Sequence, residues 1–207
     1  MPKIVDHNQR RREIVEVTWR FIAREGIEKL NLRDLAAAAG YANGGLKIYF
    51  PTKDAILAAT FIYVAEATNT RITRSAGALE GLAAIEAFAH EVLPLDELRR
   101  DEARVAVHYW HLALGDPALA EANSQTMQGW RERLDVWLGQ LLGPGHRDAA
   151  AARDSMINFL MGAQAGSVLD ERANTVQSLL EQLEHHLASL QRLPKNADLS
   201  STTEEKP

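Results

Sequence analysis

Residues Tyr41 to Lys53 read YANGGLKIYFPTK. Gly44 and Gly45 are adjacent, in a segment whose flanks are patterned as helices. An interior glycine costs a helix roughly 1 kcal/mol relative to alanine. What kind of element tolerates such a pair decides the reading of the first quarter of the chain.

Upstream, Ile14, Val17, Phe21 and Ile22 recur at helical spacing from Asn8 to Glu25, and Gly26 ends the run. Asn31 is placed to cap a second helix, LRDLAAAAG, which stops at Gly40. Two short helices joined through a glycine outline a helix-turn-helix, with the reader at about Asn43 to Ile48. In that motif the second helix enters the major groove while the first lies across the backbone. Small residues at the start of the reader let its amides approach phosphate. Lys47, Tyr49 and Lys53 are candidate phosphate contacts, and Arg10, Arg11 and Arg12 can grip backbone or minor groove beside them. The same residues also have ordinary readings: Phe50 as core, Lys53 and the arginine run as solvated charge.

Charge agrees with a polyanion-binding head. Residues 1–53 hold ten Lys/Arg against six Asp/Glu, a balance of +4, while the rest holds thirteen against twenty-two, a balance of −9. The overall −5 conceals this division. Of the 207 residues, 46% are apolar and 25% charged, the proportions of a soluble globular protein. The chain has no cysteine, which excludes disulfides, thiolate metal sites and cysteine nucleophiles. No apolar segment follows the charged N-terminus and no run reaches membrane-spanning length, so neither a signal peptide nor a membrane span is expected. Cytoplasmic localisation is the expectation.

Downstream, Thr52 caps a long helix to about Arg74. Further helices are expected from about Ala78 to Leu93, Asp96 to Leu114, Asp116-Pro117 to Leu142, Arg147 to Val168 and Thr175 to Leu193. The Gly143-Pro144-Gly145 break is firm, and the polar tail PKNADLSSTTEEKP is expected to be disordered. No strand pattern competes. The prediction is an all-α protein of about nine helices: a DNA-binding head at 1–57, a helical body at 58–193, and a tail at 194–207.

The segment from Arg10 to Leu57 resembles the N-terminal domain of TetR/AcrR-type transcriptional regulators. The family pattern is a helix ending in Gly, a capped helix reading roughly Arg-Asp-Ile-Ala with Ala-Gly, then Val-Ser-x-Gly-x-x-Tyr-x-Tyr-Phe-x-x-Lys. The sequence matches at Gly26, Arg33, Asp34, Leu35, Ala36, Ala39, Gly40, Gly44, Tyr49, Phe50 and Lys53. The resemblance implies a homodimeric DNA-binding regulator, usually a repressor of a palindromic operator released by a small ligand. By position it brings Asn31, Arg33, Asn43, Gly44, Gly45, Lys47, Tyr49 and Lys53 to DNA. Three positions depart from the pattern: Ala42 replaces the usual capping serine, Gly45 a commonly hydroxylated residue, and Lys47 the first aromatic. Asn43 is left as a substitute cap. The departures predict a reader loosely held without DNA and an operator unlike those of typical members.

In the body, Phe61, Phe88, His108, Tyr109, Trp110, Met127, Trp130 and Met161 are candidates to line an effector cavity, or simply to form core. Aromatics can hold a cation, and MPK with RR near the start and LDERANT before the last helix are similar to choline-responsive regulators of betaine synthesis. His108 and His111 share a helix face, but no third ligand is evident, so neither metal nor cofactor is expected. Gly162 and Gly166 permit close helix approach; Leu179, Leu183 and Leu187 form a stripe that serves internal packing or, with Phe159, a dimer face. The resemblance favours a four-helix interface between two subunits. An effector-independent DNA-binding structural protein is the alternative. An all-α enzyme is a weaker one, because no phosphate loop, HExxH or nucleophile–base pair is present.

Overall fold

The structure, a computed structural model, describes residues 7–42 and 44–195. The expectations for Asn43 and for the tail beyond 195 fall outside them. Among the described residues eight α-helices follow one another: α1 (His7–Glu25), α2 (Leu32–Ala38), α3 (Lys53–Ala76), α4 (Gly81–Val92), α5 (Glu97–Ala113), α6 (Pro117–Leu142), α7 (Ala149–Leu169) and α8 (Val176–Gln191). Two 3-10 turns, Ile27–Lys29 and Gly45–Ile48, interrupt the first part. No strand occurs among the described residues.

The helix starts are set largely by side chains that accept from otherwise unpaired amides. Asn31 accepts from the Asp34 amide at 2.9 Å, Thr52 from Ala55 at 3.0 Å, Asp96 from Arg99 at 2.8 Å and Asp116 from Ala118 at 2.9 Å. α4 starts later than its expected position near Ala78. Its cap comes from another helix: Gln140 Oε1 of α6 accepts from the Gly81 amide at 2.9 Å.

The reader differs from the expected helix. It is a single 3-10 turn, and both its ends are limited by backbone geometry. Gly44 has φ +89°, a left-handed conformation that prevents a right-handed helix from starting before Gly45. Pro51 follows Phe50 and disfavours the helical region for it. The four residues between leave room for little more than one turn.

Two hydrophobic clusters organise the packing. The first joins α1, α2 and the reader through Ile14, Ile22, Leu35, Leu46 and Phe50 to Ile56–Val64 of α3 and to Val105, Ala106 and Tyr109 of α5. The second joins Ile72 and Ala76 of α3 to α4, α6, α7 and α8 around Phe88, Trp130, Leu134, Leu160 and Leu183. Between them lies a polar layer. Arg71 makes a two-pronged bond to Glu102, at 2.9 and 2.7 Å, and a further bond to Glu91 at 3.1 Å. Arg99 joins Glu91 at 2.7 Å. α3 and α5 both cross this layer and reach the head.

Candidate DNA interface and effector cavity

The reader turn is anchored by its inward side. Leu46 and Phe50 are each only 1% exposed, and Phe50 closes on Leu46 through a backbone bond of 2.8 Å. Its outward side presents Lys47 and Ile48, both exposed. Arg33, Gly44 and Lys47 border one shallow hollow with Leu32 and Leu46, so three of the sequence candidates meet on one surface.

Most of the other candidates are held in the head by bonds of their own. Asn31 is fully engaged as the α2 cap, accepting from the Asp34 amide and donating to Asp34 Oδ2 at 2.8 Å. Arg11 donates to the Tyr49 carbonyl, with its guanidinium carbon 4.3 Å from the Phe50 ring centroid. It therefore clamps the end of the reader to α1. Arg10 pairs with Glu13 at 2.7 Å, and Arg12 borders an open groove with Arg11, Phe50, Ile62 and Tyr63. Lys53 Nζ donates to the Ile27 carbonyl at 3.4 Å. The half-buried Tyr49 lies edge-on to Tyr41 at 5.9 Å, and burial pushes the Tyr41 phenol above its ordinary pKa, with Tyr49 adding to the shift.

Gly44 and Gly45 are glycines for different reasons. A Cβ at Gly44 meets nothing within 4 Å, so the positive φ alone is what favours glycine there. Gly45 has no positive φ, and a Cβ there meets only the Tyr41 side chain at an ordinary 3.4 Å.

A cavity of about 40 Å³ lies at the meeting of the two hydrophobic clusters. As it stands it has room for about three water molecules. Phe61, Trp110, Met127 and Trp130, four of the sequence candidates, line it. Thr68, Arg99, Glu102, Thr126 and Gln164 also line it, from α3, α5, α6 and α7, and sequence reasoning missed them because no local pattern shows that polar residues on four separate helices converge. Burial raises the Glu102 carboxyl pKa, and Arg71 opposes that shift.

Four sequence candidates are absent from its lining. Tyr109 stacks on Phe61 at 3.9 Å, and its hydroxyl donates to the Leu119 carbonyl at 2.8 Å, tying α5 to α6. Phe88 stands behind Trp130, edge-on at 5.6 Å. Met161 packs on the second cluster. His108 lies near Lys53, Asp54, His111 and Glu28; burial first, and then the Lys53 charge, lower its pKa.

On the proposed dimer face, Phe159 stacks on His186 at 4.4 Å, and Gly162 is exposed with no atom within 4 Å of a Cβ position. Gly166 admits a neighbour from its own chain: a Cβ there would fall 2.7 Å from the Asn174 side chain. Leu179, Leu183 and Leu187 are buried in the protomer's own core.

Two family models match the chain. Residues 14–60 match bacterial regulatory proteins of the tetR family, and residues 82–192 match the C-terminal domain of the BetI-type transcriptional repressor. The chain belongs to the TetR family. It is therefore a DNA-binding transcription regulator and not an enzyme. BetI of Burkholderia mallei is 25% identical over 179 residues, covering 84% of this chain and 91% of that protein. PksA of Bacillus subtilis is 43% identical over 72 residues, but the match spans only 35% of each chain. A transcriptional regulator from Rhodococcus has a similar structure, with TM-score 0.75 and 22% identity over 89% of this chain and 99% of that one. So does a regulator from Saccharomonospora viridis solved in complex with choline, with TM-score 0.76 and 20% identity over 87% and 96%. No helix among the described residues of this TetR-family chain is long and apolar enough to cross a membrane.

Proposed function

We propose that this regulator is a homodimeric repressor, acting in the cytoplasm, whose two heads bind the half-sites of a palindromic operator and which a small molecule releases. The head corresponds to about residues 1–57 and the effector-binding and dimerisation body to 58–193. The position of the cavity carries the reading. Its walls include Phe61, Val64 and Ala106 of the head's cluster and Val92, Met127 and Trp130 of the body's. An occupant larger than the present cavity must part these walls. α3, whose N-terminus carries Lys53, and α5 then shift relative to the body. Such a shift alters the separation of two heads that must fit successive major grooves, and it couples effector to operator.

The body's surface at Gly162, exposed and bare of side chain one turn from the half-buried Phe159, supports the second subunit contact. A quaternary amine is the effector class with most support. The cavity is aromatic on several sides, and the buried carboxylate of Glu102 lines it beside Arg99. The choline-bound relative adds to that support.

Binding to the DNA flanking the chain's own gene tests the reading. Lys47→Ala is expected to weaken binding and to reduce the steepness of its salt dependence by about one unit of log–log slope. Choline is expected to weaken wild-type binding and to have less effect on Trp110→Ala. Operator affinity unchanged by choline refutes the quaternary-amine effector, and sedimentation as a monomer at operator-saturating concentrations refutes the dimer.

A further inference from the structure

Among the described residues of the head, Ile48 is the most exposed large apolar one, at 79%. Its neighbours in the reader behave differently. Leu46 and Phe50 are buried in the head's core, and Tyr49 is half-buried against Tyr41. Ile48 is outside both hydrophobic clusters, so neither core among the described residues covers it. A single exposed aliphatic side chain is usually unremarkable on a protein surface. This one stands on the one element of a helix-turn-helix that meets base edges, next to the exposed cation Lys47.

The 3-10 geometry of the turn sharpens the placement. Side chains three residues apart eclipse one another in such a turn. Ile48 therefore shares its face with Gly45, which has no side chain. On that face an aliphatic group projects beside bare backbone, which leaves it free to reach the floor of a groove. An isoleucine neither donates nor accepts a hydrogen bond. Among the groups that the major groove displays, the thymine C5-methyl is the apolar one.

We propose that Ile48 is a specificity-determining residue that reads a thymine methyl group in each operator half-site. The inference rests on the DNA-binding reading of the head. It differs from the role expected of Lys47, a candidate phosphate contact, because phosphate contacts carry no sequence information directly.

The test uses the full-length protein and a duplex that it selects from a random-sequence library. Each thymine of the selected duplex is replaced in turn by deoxyuridine, which removes only the methyl group, and affinity is read by fluorescence anisotropy at fixed salt. The wild type is expected to lose about fourfold at one thymine position per half-site, the worth of one buried methyl-sized group. Ile48→Ala is expected to bind the thymine and uracil duplexes equally, with an unchanged salt slope because no charge is altered. The salt slope also separates this outcome from loss of DNA binding in general. Wild-type affinity indifferent to uracil at every position overturns the proposal. So does an Ile48→Ala protein that retains the wild-type uracil penalty. A wild type that selects no duplex overturns the DNA-binding reading and this inference with it.

Discussion

Replacing each glycine of the reader by alanine separates two physical requirements that look identical in the sequence. At Gly44 the backbone is at φ +89°, where a Cβ crowds its own carbonyl at a cost of about 1–2 kcal/mol. Nothing nearby relieves or worsens that cost, since no atom lies within 4 Å of the Cβ position. The reduced freedom of the unfolded chain returns about 0.4–1 kcal/mol. Gly44→Ala is therefore expected to destabilise by roughly 1 kcal/mol, a fall of about 2–4 °C in Tm for a chain of this size. Gly45→Ala carries no such strain, and its new methyl group rests at 3.4 Å from Tyr41. It is expected to gain about 0.4–1 kcal/mol from the unfolded-state term. Thermal and urea denaturation at one fixed protein concentration measures both. A Gly44→Ala protein as stable as Gly45→Ala refutes the assignment of positive φ as the reason for the first glycine. DNA affinity provides a second readout. Gly45→Ala is expected to bind operator more weakly although it is more stable, because its methyl group adds bulk to the turn that meets the groove.

Arg71→Ala leaves Glu102, whose side chain is 11% exposed, without its two-pronged partner, and is expected to cost about 3 kcal/mol in urea denaturation. A loss near zero would mean that the polar layer holds nothing together. Burial lowers the pKa of both His108 and His186, with Lys53 and His185 adding to the effect, so the folded state favours neutral imidazoles. Their stabilisation is complete above about pH 6.5, the unfolded value, and is lost as pH falls through the lower folded values. His108→Gln is expected to lose less stability than the wild type between pH 7.5 and 5; parallel losses would remove His108 as a cause. Glu102 shifts in the opposite sense but is common to both proteins, so the comparison is unaffected by it.

The DNA-binding head was legible in the sequence because its signals are local. Asn31 and Thr52 are caps whose partners lie three residues on, and Gly26 and Gly40 end helices at their own positions. The order of motifs from Gly26 to Lys53 therefore placed the helix-turn-helix without any long-range contact. The reader was less legible. A single backbone angle at Gly44 and the proline after Phe50 restrict it to a 3-10 turn, and amphipathic spacing reports neither. Ile48 was passed over for a related reason: its apolar character marks it as core in a sequence, and only the burial of Leu46 and Phe50 shows that the turn's inward side is already filled.

The body divides along the same line. Its helices were readable from periodicity and breaks, and its aromatics pointed to a cavity or a core without choosing between them. Packing made the choice residue by residue. Trp110 and Trp130 line the cavity, while Tyr109, adjacent to Trp110 in sequence, stacks on Phe61 with its hydroxyl on the Leu119 carbonyl. Leu179, Leu183 and Leu187 satisfied an interface pattern and a core pattern equally, and the protomer's own core took them. By itself, then, the sequence determined an all-α TetR-family regulator with a basic DNA-reading head, because caps, glycine stops and charge are properties of neighbouring residues. The tertiary structure alone decided where the cavity lies, which charges form the polar layer, and which apolar side chains remain outside the cores. Those depend on contacts such as Arg71 with Glu102 and Gly81 with Gln140, between residues that no local periodicity relates.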